Sequence, residues 1–226
     1  MIDYTQIRAV LYDVGQTLLY PDFPFLKKLL AEYGVQTEVM SLARSAAMAR
    51  EKIARAKGNE RNYQAFFGYW MKLAGAAEKD IPEILRKIYE RHQREHLWNW
   101  LDPEAKDALS TLHSRGYRLG IISNADGQIS EAMARFGLAQ YFDHIIDSAL
   151  VGVEKPDLKI FFMALEKFQL PAAACLYVGD NYDNDIIGAR NVGMAPLLLD
   201  PFDAVPENDV DRIHRLSELL QLLPER

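Results

Sequence analysis

Four short segments of the chain carry residue types suited to handling a phosphoryl group. They are Asp13-Val14-Gly15-Gln16-Thr17, Ser123-Asn124, Lys155-Pro156 and Gly179-Asp180-Asn181-Tyr182-Asp183-Asn184-Asp185. Each alone is ordinary: an Asp after a strand is often a helix N-cap, and Ser-Asn is common turn chemistry. Together they would concentrate carboxylates, a hydroxyl and a lysine. Asp13, Asp180 and Asp185 brought close would repel one another, and their pKa values would rise unless a cation neutralised them. A hard divalent ion with oxygen ligands, helped by Lys155, would supply that charge. Mg2+ suits one or two carboxylates, a carbonyl, waters and a substrate phosphate. The same assembly would offset the charge of a phosphoryl group in transfer to Asp13.

Such a cluster forms only if the fold delivers the four segments to one place. Ala9-Val10-Leu11-Tyr12 is a short apolar run ending at Asp13 and Gly15, the pattern of a buried strand entering a loop. From Phe23 to about His96 the period becomes helical, with apolar residues three and four apart in Phe25–Tyr33, Val39–Ile53, Tyr63–Leu73 and Ile81–Tyr89. After Pro103 strands and helices alternate. A helix over Glu104–Ser114, closed by Gly116, precedes a strand at Tyr117–Ile122, and a helix over Ile129–Phe136 ends at Gly137. There follow a strand at His144–Ile146, a helix at Leu158–Phe168 and a strand at Cys175–Val178. A helix at Asp185–Val192, a strand at Ala195–Leu199 and a short helix at Leu216–Leu223 complete the series. Asp200–Asp211, acidic and proline-containing, is expected to be a solvated connection.

Alternation of this kind implies parallel βαβ units and a doubly wound, Rossmann-like α/β sheet. The expected organisation is an α/β core at 1–20 and 97–226, interrupted after its first strand by an all-helical cap domain at 21–96. Ligands in open α/β sheets bind beyond the carboxyl ends of the strands. All four chemical segments fall at or just after such ends.

Composition narrows the partners. With 32 acidic and 26 basic residues the net charge is −6, which argues against a broad nucleic-acid surface but not against a local phosphate site. No apolar run approaches the roughly 18 residues of a membrane span, and Met1-Ile2-Asp3-Tyr4 lacks the order of a secretory signal, so a cytoplasmic location is expected. The single cysteine, Cys175, lies in an apolar run and is expected to be a buried thiol. The sequence leaves the oligomeric state open.

On these four motifs, in this order, the chain resembles the haloacid dehalogenase superfamily, in the subgroup with a helical cap inserted after the first strand. The resemblance covers essentially the whole chain. It implies a Mg2+-dependent hydrolase of a small phosphorylated metabolite, with Asp13 as the nucleophile that forms an aspartyl phosphate. The Gly15 carbonyl and Asp180 would join Asp13 around Mg2+. Thr17 or Ser123, with the Asn124 amide, would grip the phosphate. Lys155 would bridge nucleophile and phosphate, and Asp185 would orient Lys155 or a metal-bound water.

One position departs from that pattern. Phosphatases of the superfamily usually carry a second Asp two residues after the nucleophile as general acid and base, and here that residue is Gly15. A similar gap occurs in the REG-2-like branch. Loss of a general acid–base typically costs about 10²- to 10⁴-fold in rate. Three outcomes follow: another group or the substrate supplies the proton, the substrate is an acyl phosphate or similar with a good leaving group, or turnover is lost and binding kept. Asp22 is a candidate stand-in. A catalytically silent relative that binds a phosphorylated ligand or protein partner is the alternative of a different class. Haloacid dehalogenases also lack that Asp but lack the Gly179-Asp180 pair. Phosphonoacetaldehyde hydrolases use a cap lysine, and nothing singles out Lys27, Lys28, Lys52, Lys57, Lys72, Lys79 or Lys87.

Other features read as structural. His92 and His96 have the spacing of a zinc pair but no evident third ligand. Trp98 and Trp100 read as packing where the chain returns to the core, and Arg50, Arg55 and Arg61 as solvated helix positions. No Gly-rich nucleotide loop is present.

Overall fold

The computed structural model describes residues 2–55 and 63–225, so Lys57 and Arg61 lie outside the described residues. The elements run in chain order β1 (Ala9–Tyr12), β2 (Leu19–Pro21), α1 (Phe23–Glu32), α2 (Val39–Ala54), α3 (Tyr63–Leu73), α4 (Ile81–Arg94) and β3 (Trp98–Leu101). They continue with α5 (Ala105–Ser114), β4 (Arg118–Ser123), α6 (Ile129–Arg135), β5 (His144–Asp147), α7 (Ser148–Val151) and α8 (Leu158–Phe168). The chain ends with β6 (Cys175–Gly179), α9 (Gly188–Asn191), β7 (Ala195–Leu199), β8 (Asp211–Ile213) and α10 (Leu219–Leu222). The chain divides into two compact units, Met1–Leu18 with Leu101–Arg226, and Leu19–Trp100.

The first unit is built on a six-stranded sheet in the order β5-β4-β1-β6-β7-β8, with helices on both sides. Every pairing in it is parallel. β1 is central and wholly buried, which is why it reads as an unbroken apolar run instead of an alternating one. Its Ala9 pairs with Arg118 of β4 on one side and Cys175 of β6 on the other, so the three strands reach their carboxyl ends together. Alternate side chains Leu11, Ile122, Cys175 and Tyr177 pack beneath Phe161, Ala164 and Phe168 of α8. That close approach needs glycine in two places. A Cβ on Gly120 would lie 2.6 Å from the Phe168 ring, and one on Gly188 would lie 2.5 Å from the Phe161 ring.

Two sequence expectations are corrected here. Asp200–Asp211 is not a simple solvated connection. Asp200 is fully buried and accepts from the amides of Ala204 and Val205, each at 3.0 Å, and from Arg212 at 3.0 Å. Val205 packs with Ile186 and Leu198, and the segment leads into β8, the sixth strand. These are bonds between residues whose polar, aperiodic sequence carries no pattern of its own. The helix expected over Asp185–Val192 is instead a π-helical turn at Tyr182–Ile187 followed by α9. Such turns concentrate at functional sites.

The second unit holds α1–α4 at the places their period predicts. Its core includes Leu26, Leu30, Leu42, Phe67, Trp70 and Ile88. The Trp70 indole donates to Leu42 O at 3.1 Å and Ser45 Oγ at 3.0 Å, fixing α3 on α2. Asp22 caps α1 by accepting from the Phe25 amide at 3.0 Å, and its other oxygen takes Arg91 at 2.9 Å. A two-stranded sheet of β2 and β3, too short to show a period, was not expected. Trp100 of β3 packs edge-on to Phe23, in keeping with a packing role. Lys27, Lys72 and Lys87 form exposed ion pairs with Glu38, Glu78 and Glu32, the solvated reading expected for them. Among the described residues no helix is long and apolar enough to cross a membrane.

Candidate active site

The chemistry-bearing residues meet at the carboxyl end of the sheet in the first unit. Asp13 directly follows β1, and its N–H extends the ladder by donating to Val178 O at 2.9 Å. Its carboxylate is buried, and Oδ1 accepts from Lys155 Nζ at 2.6 Å and from Ser123 Oγ at 3.2 Å. Ser123 ends β4 beside β1, so the parallel register delivers its hydroxyl to Asp13. Lys155 Nζ also donates to Asp185 Oδ1 at 2.6 Å and to the Tyr177 hydroxyl at 2.9 Å.

The π turn sets Asp185. Its Oδ2 accepts from the Asn181 amide at 2.9 Å, and Asn181 in turn caps the turn by accepting from the Asn184 amide at 3.0 Å. Gly179 makes room for it. A Cβ there would stand 2.5 Å from the Asp185 carboxyl carbon. Asn124 reaches Lys155 from the other side: its side-chain oxygen accepts from the Lys155 amide at 2.7 Å, and its Nδ2 donates to the Lys155 carbonyl at 2.9 Å. The Asn124 side chain therefore secures the lysine segment. The loop after Ser123 is shaped by Asp147, which ends β5 and accepts from the amides of Gly127, Ile129 and Ala149. Ser148 Oγ holds the Ala125 amide at 3.0 Å.

Asp13, Asp180 and Asp185 each offer a carboxylate oxygen within 4.8 Å of the others, and all three are buried. Burial pushes the Asp13 carboxyl above its usual range, opposed by the Lys155 ammonium and reinforced by Asp185. Burial also works against the Lys155 ammonium, but Asp13, Asp185 and Tyr177 outweigh it and hold the lysine well above its ordinary value. With one cation among three ionised carboxylates, the cluster would carry a net charge of about −2, which a single divalent ion would balance. The donor set therefore fits a hard cation: buried, all-oxygen and short of positive charge.

The structure brings Asp13, Ser123, Asn124, Lys155, Asp180 and Asp185 together. Thr17 is fully buried four residues after Asp13, and its hydroxyl has no hydrogen-bond partner among the described residues. Gly15 is half-buried and does not take a left-handed backbone, whereas its neighbour Gln16 does, at φ 58°. Asp22 is occupied as a helix cap and ion-pair partner, which accounts for it without a proton-transfer role. The sequence reading missed Tyr177, whose signal was a lone polar atom inside the apolar run Cys175-Leu176-Tyr177-Val178, and Asp147, a further Asp at a strand end.

The sequence pattern of haloacid dehalogenase-like hydrolases matches residues 7–193. The chain belongs to this family. It is 30% identical to the human "haloacid dehalogenase-like hydrolase domain-containing protein 3", over 97% of this chain and 93% of that protein. It is also 30% identical to a protein of Methanothermobacter thermautotrophicus named "glyceraldehyde 3-phosphate phosphatase", over 96% of this chain and all of that one. Among solved structures, a haloacid dehalogenase-type phosphatase from Thermococcus onnurineus shares the fold, with a TM-score of 0.62 at 23% identity, covering 97% of this chain and 99% of that one. This haloacid dehalogenase-like hydrolase thus carries its buried carboxylates and lysine at the strand ends where an α/β sheet places its ligands.

Proposed function

We propose that this enzyme hydrolyses a small phosphorylated metabolite through a phosphoryl group carried on Asp13. The observation that carries the reading is the buried Asp13, bonded through Oδ1 to both Lys155 and Ser123. Oδ2 is then the attacking oxygen. It forms a bond to phosphorus as the bond to the leaving oxygen breaks, and water later attacks the aspartyl phosphate to release inorganic phosphate and restore Asp13. Relatives named for glyceraldehyde 3-phosphate support a substrate of that size and charge.

Asp13, Asp180 and the Gly15 carbonyl would hold Mg2+, which supplies positive charge against the phosphoryl oxygens. Lys155 holds Asp13 in place and adds a second positive charge. Asp185 orients Lys155, since its two oxygens are taken by Nζ and the Asn181 amide. Thr17 and Ser123 would offer hydroxyls and Asn124 its main-chain amide to the phosphate. The helical insert would act as the specificity-bearing cap.

Gly15 bears on the substrate. Without a carboxylate there, a poor alkoxide leaving group lacks its usual proton donor, so another group or the substrate supplies the proton, the chain prefers acyl phosphates, or it binds phosphorylated ligands without turnover. Turnover of an aryl phosphate and of acetyl phosphate, with and without Mg2+, tests these. Metal-dependent hydrolysis that falls at least about 10³-fold in Asp13→Asn is expected. Equal rates in wild type and Asp13→Asn overturn the nucleophile. Silence on both substrates, with Mg2+ and beryllofluoride still raising the melting temperature, favours the binding reading.

A further inference from the structure

Lys155 is the only cation described inside the carboxylate cluster, and how its three hydrogens are spent decides where it points. An ammonium offers three donors. Two go to Asp13 Oδ1 and Asp185 Oδ1, each at 2.6 Å, and the third goes to the Tyr177 hydroxyl at 2.9 Å. The phenol has one hydrogen, and it has a nearer destination than Asp185. Tyr177 lies 2.8 Å from the Ile122 carbonyl, which can only accept, and 3.4 Å from Asp185 Oδ1. With its hydrogen on Ile122 O, the hydroxyl must present a lone pair to Lys155.

The phenol is kept in that role by its surroundings. Its ring is fully buried beneath α8, edge-on to Phe161 at 5.3 Å. The position lies on β6 and the acceptor on β4, so the side chain reaches past β1, the strand that carries Asp13. A phenylalanine would fill the same space. A hydroxyl in so apolar a place costs free energy unless it is bonded, and here it is bonded on both its donor and acceptor sides.

We infer that Tyr177 is a positioning residue that fixes the Lys155 ammonium against Asp13, supplying a neutral third acceptor where a third carboxylate would add unwanted negative charge. The inference rests on the proposed role of Asp13 and Lys155. Without the phenol oxygen, one ammonium hydrogen loses its acceptor in a buried site, and the group is free to tilt away from Asp13. Misplacement of a reacting group by about 1 Å can cost about 10²-fold in rate.

The test is Tyr177→Phe in the full-length enzyme with Mg2+ and an aryl phosphate. The expected result is a fall in kcat of about 10- to 100-fold with KM changed less than about threefold. In a Lys155→Gln background the same change should add less than about threefold, because its effect runs through the lysine. An unchanged kcat in folded Tyr177→Phe overturns the inference, as does an equal loss with and without Lys155. Should Tyr177→Phe not fold, Tyr177→Met, flexible enough to fill the space, is measured in its place with the same two criteria. Failure of the underlying reading is separate: it shows as wild-type turnover that Asp13→Asn leaves intact.

Discussion

Gly15 has no side chain to give a proton, and it does not take the left-handed backbone of its neighbour Gln16, so its φ does not itself bar a residue that has one. Gly15→Asp is therefore expected to raise turnover of an alkyl phosphate by about 10²-fold or more, and of acetyl phosphate much less, because a carboxylate leaves without needing the proton. Steady-state rates on the two substrates check it, and equal gains would remove the acid–base explanation. Cys175 answers chiefly to burial. Burial, opposed slightly by Arg118, pushes its thiol up to about 11 from 9.0. The folded state thus holds the proton more tightly, so this contribution to stability is complete below pH 9 and is lost as the pH rises through 11. At pH 8 the thiolate is about 100-fold scarcer than in the unfolded chain. Iodoacetamide should label native Cys175 at least that much more slowly than in urea.

The strand-to-helix junctions decide whether the site assembles. After β6, the absence of a Cβ on Gly179 lets the π turn bring Asp185 under Lys155. Gly179→Ala should displace that carboxylate and lower kcat about 10²-fold or more while the protein still folds. Gly188→Ala, on α9, meets the Phe161 ring first. It should cost about 1–3 kcal/mol of stability by overpacking and leave turnover per folded molecule close to wild type. Thermal melts and active-site-normalised rates on the pair separate the two effects. If both variants lost only stability, the positioning role of Gly179 would be wrong.

At the scale of the molecule, folding gathers three buried carboxylates around one lysine. Binding a cation there should stabilise the native state by mass action. Mg2+ at about 100 times its Kd adds about 2.7 kcal/mol, and Asp180→Asn should lose most of that gain. A melting temperature indifferent to Mg2+ in the wild type would count against the site. The two units have separate hydrophobic cores. Trp70→Phe, which strips the indole bonds to Leu42 and Ser45, should cost about 1–2 kcal/mol of stability in the helical unit. The sheet residues that surround Asp13 are untouched by that change.

Much of this protein was legible in one dimension. β1 and β6 read as strands because burial on both faces makes them continuous apolar runs, and α1–α4 and α8 because one apolar face repeats every three or four residues. Asp13, Ser123, Lys155 and Asp180 could be picked out because strand ends are where a parallel sheet places ligands. What the sequence did not disclose depends on contacts between residues far apart. Tyr177 reads as core until its hydroxyl is seen on Lys155, 22 residues earlier, and Ile122, 55 residues earlier. The Asn124 carboxamide reads as ordinary turn chemistry until it is found on the Lys155 main chain. Asp200 and Val205 looked solvated because their order comes from Arg212 and from Ile186, not from any period of their own. Local pattern fixes which residues turn inward; only the assembled sheet decides which polar atoms then meet, because a hydrogen bond is set by direction and distance and leaves no trace in spacing.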